Sequence, residues 1–119
     1  MTCRKSTALL VVLTAALSNA VQGQSNYTYT TFDFPGASFL GTVATGINDA
    51  GDVVGYYYDS YVYTHGFLWA KGAMNTVDFP QSQMQTSLYG INNCGAIVGR
   101  IFDNNGATTL QSFVLADGK

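Results

Sequence analysis

After an apolar stretch at residues 8–17, the hydrophobic residues lie in short runs separated by segments rich in Gly, Asn and Asp. Short apolar or alternating runs bounded by turn residues are typical of β-strands. The pattern predicts an all-β fold. The predicted strands cover residues 42–48, 52–59, 65–70 and 74–79, and then 86–92, 96–103 and 111–116.

The predicted strands belong to an internal repeat with a period of about 45 residues. Five segments recur in the same order: Asp33-Phe34-Pro35 as Asp78-Phe79-Pro80, Gly46-Ile47-Asn48 as Gly90-Ile91-Asn92, residues 51–55 as 95–99, Asp59 as Asp103, and Phe67 and Gly72 as Phe113 and Gly118. Each unit is expected to hold four antiparallel strands, which is the size of a β-propeller blade. We therefore predict two tandem, blade-like units that form an incomplete ring.

The repeat suggests a division of the chain. We expect a signal peptide at 1–23, an N-terminal strand and linker at 24–40, a first unit at 41–84 and an incomplete second unit at 85–119. Residues 27–34 match a fourth strand, and we expect them either to pair with 111–116 or to extend the first unit. Because a propeller needs about four blades or more, three interpretations remain: a fragment of a longer protein, a unit that assembles with copies of itself, or a small open stack of sheets.

Turn residues and apolar pairs predict local structure within each unit. Asn48 and Asn92 are expected to begin equivalent turns between two strands, and Gly51 and Gly95 to close them in the left-handed conformation. Strands that are apolar at adjacent positions are buried on both faces. The side chains predicted to lie inside are Val53, Val54, Phe67, Ile97, Val98 and Phe113.

The N-terminus has the three-part pattern of an export signal. Arg4 and Lys5 precede the apolar stretch, which is too short to span a bilayer, since that takes about 20 residues. Small residues allow cleavage after Ala20 or, as we prefer, after Gly23. The protein is thus expected to be secreted or periplasmic, with no membrane association once the signal is removed.

The net charge of the chain excludes one class of binding partner. Without residues 1–23 the chain keeps three basic residues against seven Asp, a net charge of −4, which argues against nucleic acid as a partner.

Cys3 lies in the leader, so Cys94 is expected to be a lone thiol. A small buried Cys is the favoured interpretation, and pairing between two chains is the alternative.

Two strings and their second copies resemble a known family. GINDAGDVVGYYYD and HGFLWAKG, repeated as GINNCGAIVGRIFD and SFVLADG, are similar to the bacterial extracellular repeat family named HAF after a His-Ala-Phe segment. Residues 31–37, TFDFPGA, resemble its linker. The family is defined by sequence and export and implies no reaction. Here Gly66 stands where the name has Ala, and Gln111 replaces His65 in the second copy, which argues against an essential role for that His.

The residues predict no catalytic centre, metal site or cofactor. His65 is the single histidine and is interpreted as a hydrogen-bonding strand residue, because zinc needs three or four His, Cys or carboxylate ligands. Asp49, Asp52 and the segment 103–106 are rich in oxygen, but Gly is fourth in that segment and not sixth as in calcium loops. Turn capping explains them, with calcium as the alternative.

A cluster of aromatic residues is the candidate ligand surface. Tyr57, Tyr61, Tyr63 and Trp69 lie on one predicted strand, its loop and the next strand, and exposed aromatic rings of this kind bind glycans or proteins. Tyr57 is expected to face opposite to Tyr56 and Tyr58, because side chains alternate across a strand. The alternative is that these rings only fill the space between sheets.

The predicted function is a secreted, non-enzymatic repeat module that acts as a structural or binding scaffold, with self-association through open strand edges as a candidate property. The alternative is a fragment of a propeller enzyme, such as a glycan-processing hydrolase. Such an enzyme needs two carboxylates about 5 to 10 Å apart across a cleft. Asp59 and Asp103 are the pair that occupies equivalent positions in the two units.

Overall fold

The computed structural model describes residues 26–80, 84–103 and 111–116, and these residues form an all-β structure without helices. The first antiparallel sheet has the order β1-β2-β3-β4 and the second β5-β6-β7. The strands are β1 (Thr42–Ile47), β2 (Val53–Tyr58), β3 (Thr64–Ala70), β4 (Ala73–Thr76), β5 (Met84–Ile91), β6 (Ile97–Asp103) and β7 (Gln111–Leu115). Within the described ranges, no helix exists that could cross a membrane.

Contacts divide the chain into two compact units, residues 1–31 and 32–119, and both sheets lie in the second. In the first unit, residues 26–31 are exposed and contain no strand. The predicted leader and its cleavage sites lie outside the described residues.

The seven strands confirm the strands predicted from the hydrophobic pattern, with small shifts at their ends. The clearest shift is in β4, which ends at Thr76 rather than at Phe79. The Val77 N–H still donates to the Gly66 carbonyl, at 2.8 Å. The Gly66 N–H donates instead to a carboxylate oxygen of Asp78, at 3.0 Å. A side chain therefore replaces the backbone as the partner of β3 at this point.

The predicted N-terminal strand is absent: residues 26–41 contain no strand, so in the described residues 27–34 neither pair with β7 nor extend the first sheet. Pro35 lacks an N–H, and Gly36 has a φ of 86°, so the chain turns there. The Phe34 N–H donates to the Thr42 hydroxyl at 2.8 Å rather than to a strand backbone.

The two sheets pair their strands in the same register. In the first sheet Gly55 lies opposite Phe67, and in the second Gly99 lies opposite Phe113. A β-bulge falls between Ala44 and Gly46 in β1, and an equivalent one between Leu88 and Gly90 in β5. Both Gly55 and Gly99 leave room for the opposing phenylalanine ring, because a Cβ at either position would meet that ring at less than 3 Å.

Two apolar clusters stabilise the part of the chain that the structure describes. One covers the face of the first sheet that points away from the second: Val53, Tyr57 and Phe67 pack there with Phe32, Phe34, Ala37, Trp69 and Met74. The other lies between the sheets and consists of Val54, Leu88 and Ile97 with Leu68, Val77, Ile91 and Phe113. Burial of such side chains is worth about 1.5 to 3 kcal/mol each.

The predicted interior is confirmed at four of its positions, since Val53, Val54, Phe67 and Ile97 are buried. Phe113 is half-buried and packs on the cluster between the sheets. For Val98 the prediction was wrong, because 47 % of its surface is exposed. Its side chain lies on the face of the second sheet that points away from the first, and nothing in the described structure covers that face as the second sheet covers Val54.

Candidate functional site

The turns at Asn48 and Asn92 have the same construction. The side-chain oxygen of Asn48 accepts the N–H groups of Ala50 and Asp52 at 3.0 and 2.9 Å. The side-chain oxygen of Asn92 accepts the corresponding N–H groups two and four residues further on, both at 2.9 Å. Gly51 and Gly95 have φ values of 83° and 80°, which confirms the left-handed positions predicted for them.

These two turns also bind each other. The Asn48 side-chain amide donates to the Asn92 carbonyl at 3.4 Å. The Asp49 N–H donates to the side-chain oxygen of Asn93 at 2.9 Å, and the Asn93 amide returns a short hydrogen bond to the Asp49 carboxylate. Asp49 and Asp52, which were considered as calcium ligands, therefore accept hydrogen bonds between and within these turns.

The four residues of the predicted ligand surface do not form one surface. Tyr57 is buried, with its ring stacked on Phe34 at a centroid distance of 3.8 Å. Trp69 is half-buried and stacks on Phe32 at 4.9 Å. These two rings are covered by the segment before β1 and not, as the packing alternative expected, by an adjacent sheet. As predicted, Tyr57 faces opposite to Tyr56 and Tyr58, whose rings meet edge to face.

Tyr61 and Tyr63 remain exposed, with 77 % and 43 % of their surfaces accessible, and their ring centroids are 6.5 Å apart. Asp59 shapes the loop between β2 and β3 that carries them. Its carboxylate accepts the N–H groups of Tyr61 and Tyr63 at 2.8 and 2.9 Å, and its N–H donates to the Tyr63 carbonyl. Hydrogen bonds to the Asp59 side chain therefore stabilise this loop.

His65 lies on β3 between two carboxylates. Its Nδ1 is 2.6 Å from Asp78 and its Nε2 is 3.5 Å from Asp59, while its ring stacks on Tyr57. Burial lowers the pKa of His65, but hydrogen bonds and charge attraction from Asp78 and Asp59 outweigh it, so the pKa is raised. His65 therefore bonds the β2–β3 loop to the linker after β4, which agrees with its interpretation as a hydrogen-bonding strand residue.

The same contacts act on Asp59. Burial raises the pKa of this carboxyl, but the N–H groups of Tyr63 and Tyr61 and the His65 ring lower it by more, so the pKa lies below its ordinary value.

Asp103, the residue equivalent to Asp59 in the second unit, is the last residue of β6. Residues 104–106 of the suspected calcium loop lie outside the described residues. In the described ranges no group of three or more His, Cys, Asp or Glu is placed to hold a metal ion.

Cys94 differs from its prediction. It lies in the turn between β5 and β6, where it is exposed, and its sulfur is in a disulfide bond. The expectation that Cys94 is buried is therefore wrong. The expectation of a lone thiol concerned the chain without residues 1–23 and stays a prediction. This turn lies beyond the ends of β5 and β6, and its residues 92–95 are exposed.

The exposed face of the second sheet was not predicted from the sequence. A shallow depression of about 380 Å³ lies there, lined by Tyr89, Val98, Gly99, Arg100, Ser112, Phe113 and Val114. The Arg100 guanidinium lies 5.8 Å from the centroid of the Tyr89 ring. The available signal was the repeat itself, since Tyr89 and Arg100 occupy the places of Thr45 and Tyr56 in the first unit.

Comparison with protein-family models, curated proteins and solved structures finds no match to this chain.

Proposed function

We propose that this chain is a non-enzymatic repeat module, built from tandem blade-like units of about 45 residues, that acts outside the cell as a structural or binding scaffold. The observation that carries the proposal is the shared register of the two sheets, in which even the bulge is at the equivalent position. In repeat architectures each unit has the same strand register and buries one face against the next unit.

The hydrogen bonds between the turns at Asn48 and Asn92 support the same proposal, because they join equivalent positions of successive units. The entry into each sheet gives further support. The Phe34 N–H donates to Thr42, and the Phe79 N–H donates in the same way to Thr86 at 3.0 Å. The export pattern of residues 1–23 and the resemblance to the HAF family support an extracellular location.

The binding part of the proposal rests on Tyr61 and Tyr63. Their rings are exposed on a loop that Asp59 holds in one conformation, and preordered aromatic rings bind at a lower entropic cost than mobile ones. A flat glycan is the ligand chemistry that suits them, because sugar rings pack on tyrosine faces. The enzyme alternative is less well supported, since the Asp59 carboxylate is engaged by its own loop and by His65.

Affinity electrophoresis of the exported chain in a panel of soluble polysaccharides tests this function, together with an assay for newly formed reducing ends. We expect retardation by at least one polysaccharide without release of sugar. Tyr61→Ala combined with Tyr63→Ala should abolish the retardation, while Tyr29→Ala, at an exposed tyrosine elsewhere, should leave it unchanged. Release of reducing ends that Asp59→Asn abolishes would favour the hydrolase instead.

A further inference from the structure

The second sheet presents an apolar face to solvent. We call the surface formed by Tyr89, Gly90, Val98 and Val114 the leading face. Tyr89, Val98 and Val114 expose 44 %, 47 % and 68 % of their surfaces around the shallow depression described above. An apolar sheet face of this kind is where another protein surface is expected to pack.

In the first sheet the positions equivalent to the leading face are the ones that the second sheet covers. Val54 corresponds to Val98 and is fully buried, and Leu68 corresponds to Val114 and packs in the cluster between the sheets. Gly46 corresponds to Gly90. A Cβ at Gly46 would lie 3.0 Å from the Gly90 Cα, so β1 and β5 approach backbone to backbone.

The opposite end of the stack carries the other half of that contact. We call Phe32, Ala44, Ile47 and Val53 the trailing face; they line a depression of about 340 Å³ on the first sheet. Ile47 exposes 67 % of its surface. Their equivalents are Val77, Leu88, Ile91 and Ile97, and all four lie in the cluster between the sheets.

We propose that the leading face docks onto the trailing face of a second copy of this chain and so repeats the packing between the two sheets. The inference rests on the proposed function in so far as it takes the sheets to be equivalent units. Continuity with an existing interface supports this contact, because one molecule carries both halves of it and, in the described residues, no further sheet covers either half. A contact between two different faces is heterologous, so copies associate head to tail.

The segment that covers the first sheet leaves the trailing face accessible to this contact. Phe32 and Phe34 lie before β1 as Val77 and Phe79 lie before β5, with the same hydrogen bond from the phenylalanine N–H to a threonine. Val77 is part of the cluster between the sheets, and the ring centroids of Phe79 and Phe113 are 5.4 Å apart. A segment in this position therefore contributes to the packing.

Polar groups at the two ends also match. Where the sheets meet, the Asn48 amide binds the Asn92 carbonyl, and Asp49 pairs with Asn93. At the proposed contact the Asn92 amide would meet the Asn48 carbonyl of the second copy. Asn93 would meet the Asp49 carboxylate of the second copy, which is again an amide with a carboxylate.

Sedimentation equilibrium of the full chain, purified after export and measured from about 1 to about 300 µM, tests the proposal. We expect the weight-average mass to rise with concentration. Val114→Lys places a charge on the leading face and Ile47→Lys on the trailing face, both at exposed positions, so each variant should fold. Each alone should self-associate at least about tenfold more weakly. Phe39→Lys, at a side chain that is 92 % exposed in the segment before β1, is the matched control and should self-associate as the original chain does.

The decisive measurement is an equimolar mixture of the two variants. The Val114→Lys chain keeps its trailing face and the Ile47→Lys chain its leading face, so the mixture should form a heterodimer and nothing larger. A wild-type chain that is monomeric throughout the concentration range would overturn the proposal, and so would a mixture that stays monomeric. Polysaccharide binding through Tyr61 and Tyr63 is measured separately, so failure of self-association is distinguishable from failure of the proposed function.

Discussion

Val54 and Val98 occupy the same place in two sheets with the same register, yet one is fully buried and the other is 47 % exposed. The strand pattern around them is the same, and Leu68 and Val114 lie opposite them. The difference is that the second sheet covers Val54. Local pattern therefore sets the pairing of strands, whereas burial depends on which neighbour is present.

The largest expected contrast is between Phe67 and Phe113. Phe67 is fully buried against β2, while Phe113 is half-buried. We expect Phe67→Ala to lower the free energy of unfolding by about 3 to 5 kcal/mol and Phe113→Ala to lower it by less than about 2 kcal/mol. Chemical denaturation of both variants measures this. Equal losses would mean that the two sheets are covered to the same degree.

A smaller contrast is expected for the two valines themselves. Val54→Ala should lower the free energy of unfolding by about 2 kcal/mol, because it leaves a cavity between the sheets. Val98→Ala should change it by no more than about 0.5 kcal/mol at low protein concentration, since its face is open. Urea denaturation in dilute solution checks both values. A large loss for Val98→Ala under those conditions would show that the leading face is covered within one molecule.

The turn glycines should instead behave alike. Val at Gly51 or Gly95 would need a left-handed conformation that β-branched residues avoid, at a cost of about 1 to 3 kcal/mol. We expect Gly51→Val and Gly95→Val to lower the midpoint of thermal unfolding by similar amounts. Gly→Asn at the same positions is the control and should be milder, because Asn tolerates this conformation. If only one glycine proves sensitive, the turns are not equivalent in energy.

The smallest contrast concerns pH. The pKa of His65 is raised in the folded state, so its ion pairs contribute full stability below the unfolded pKa of about 6.5. That contribution is lost as pH rises through the higher folded pKa. His65→Gln introduces the residue that the second unit has, Gln111, and should remove this part of the pH dependence. The effect should be about 1 kcal/mol or less, because the pair is partly exposed. Unfolding curves of the original chain and of His65→Gln, each measured at pH 5.5 and at pH 8, test this pH dependence.

The strands, the turns and most of the interior could be predicted from the sequence because they depend on local alternation and on turn residues. Val98 could not, because a strand that is apolar on both faces does not show whether a neighbour is present. What covers Tyr57 and Trp69 could not be predicted for the same reason, since the covering rings belong to Phe34 and Phe32 and not to an adjacent sheet. Those two rings belong to a segment that was itself predicted to be a strand.

The hydrogen bonds between the turns at Asn48 and Asn92 restrict where the chain can change in length. An added residue in β1, β5 or either turn would separate Gly46 from Gly90 and break the contact between turns. The connection from β2 to β3 is free of that restriction. Its counterpart after Asp103 is longer in the sequence, yet Gly99 still pairs with Phe113 as Gly55 pairs with Phe67. These connections are therefore the places where insertions can accumulate during evolution, or where a foreign peptide can be grafted, without a change in strand register.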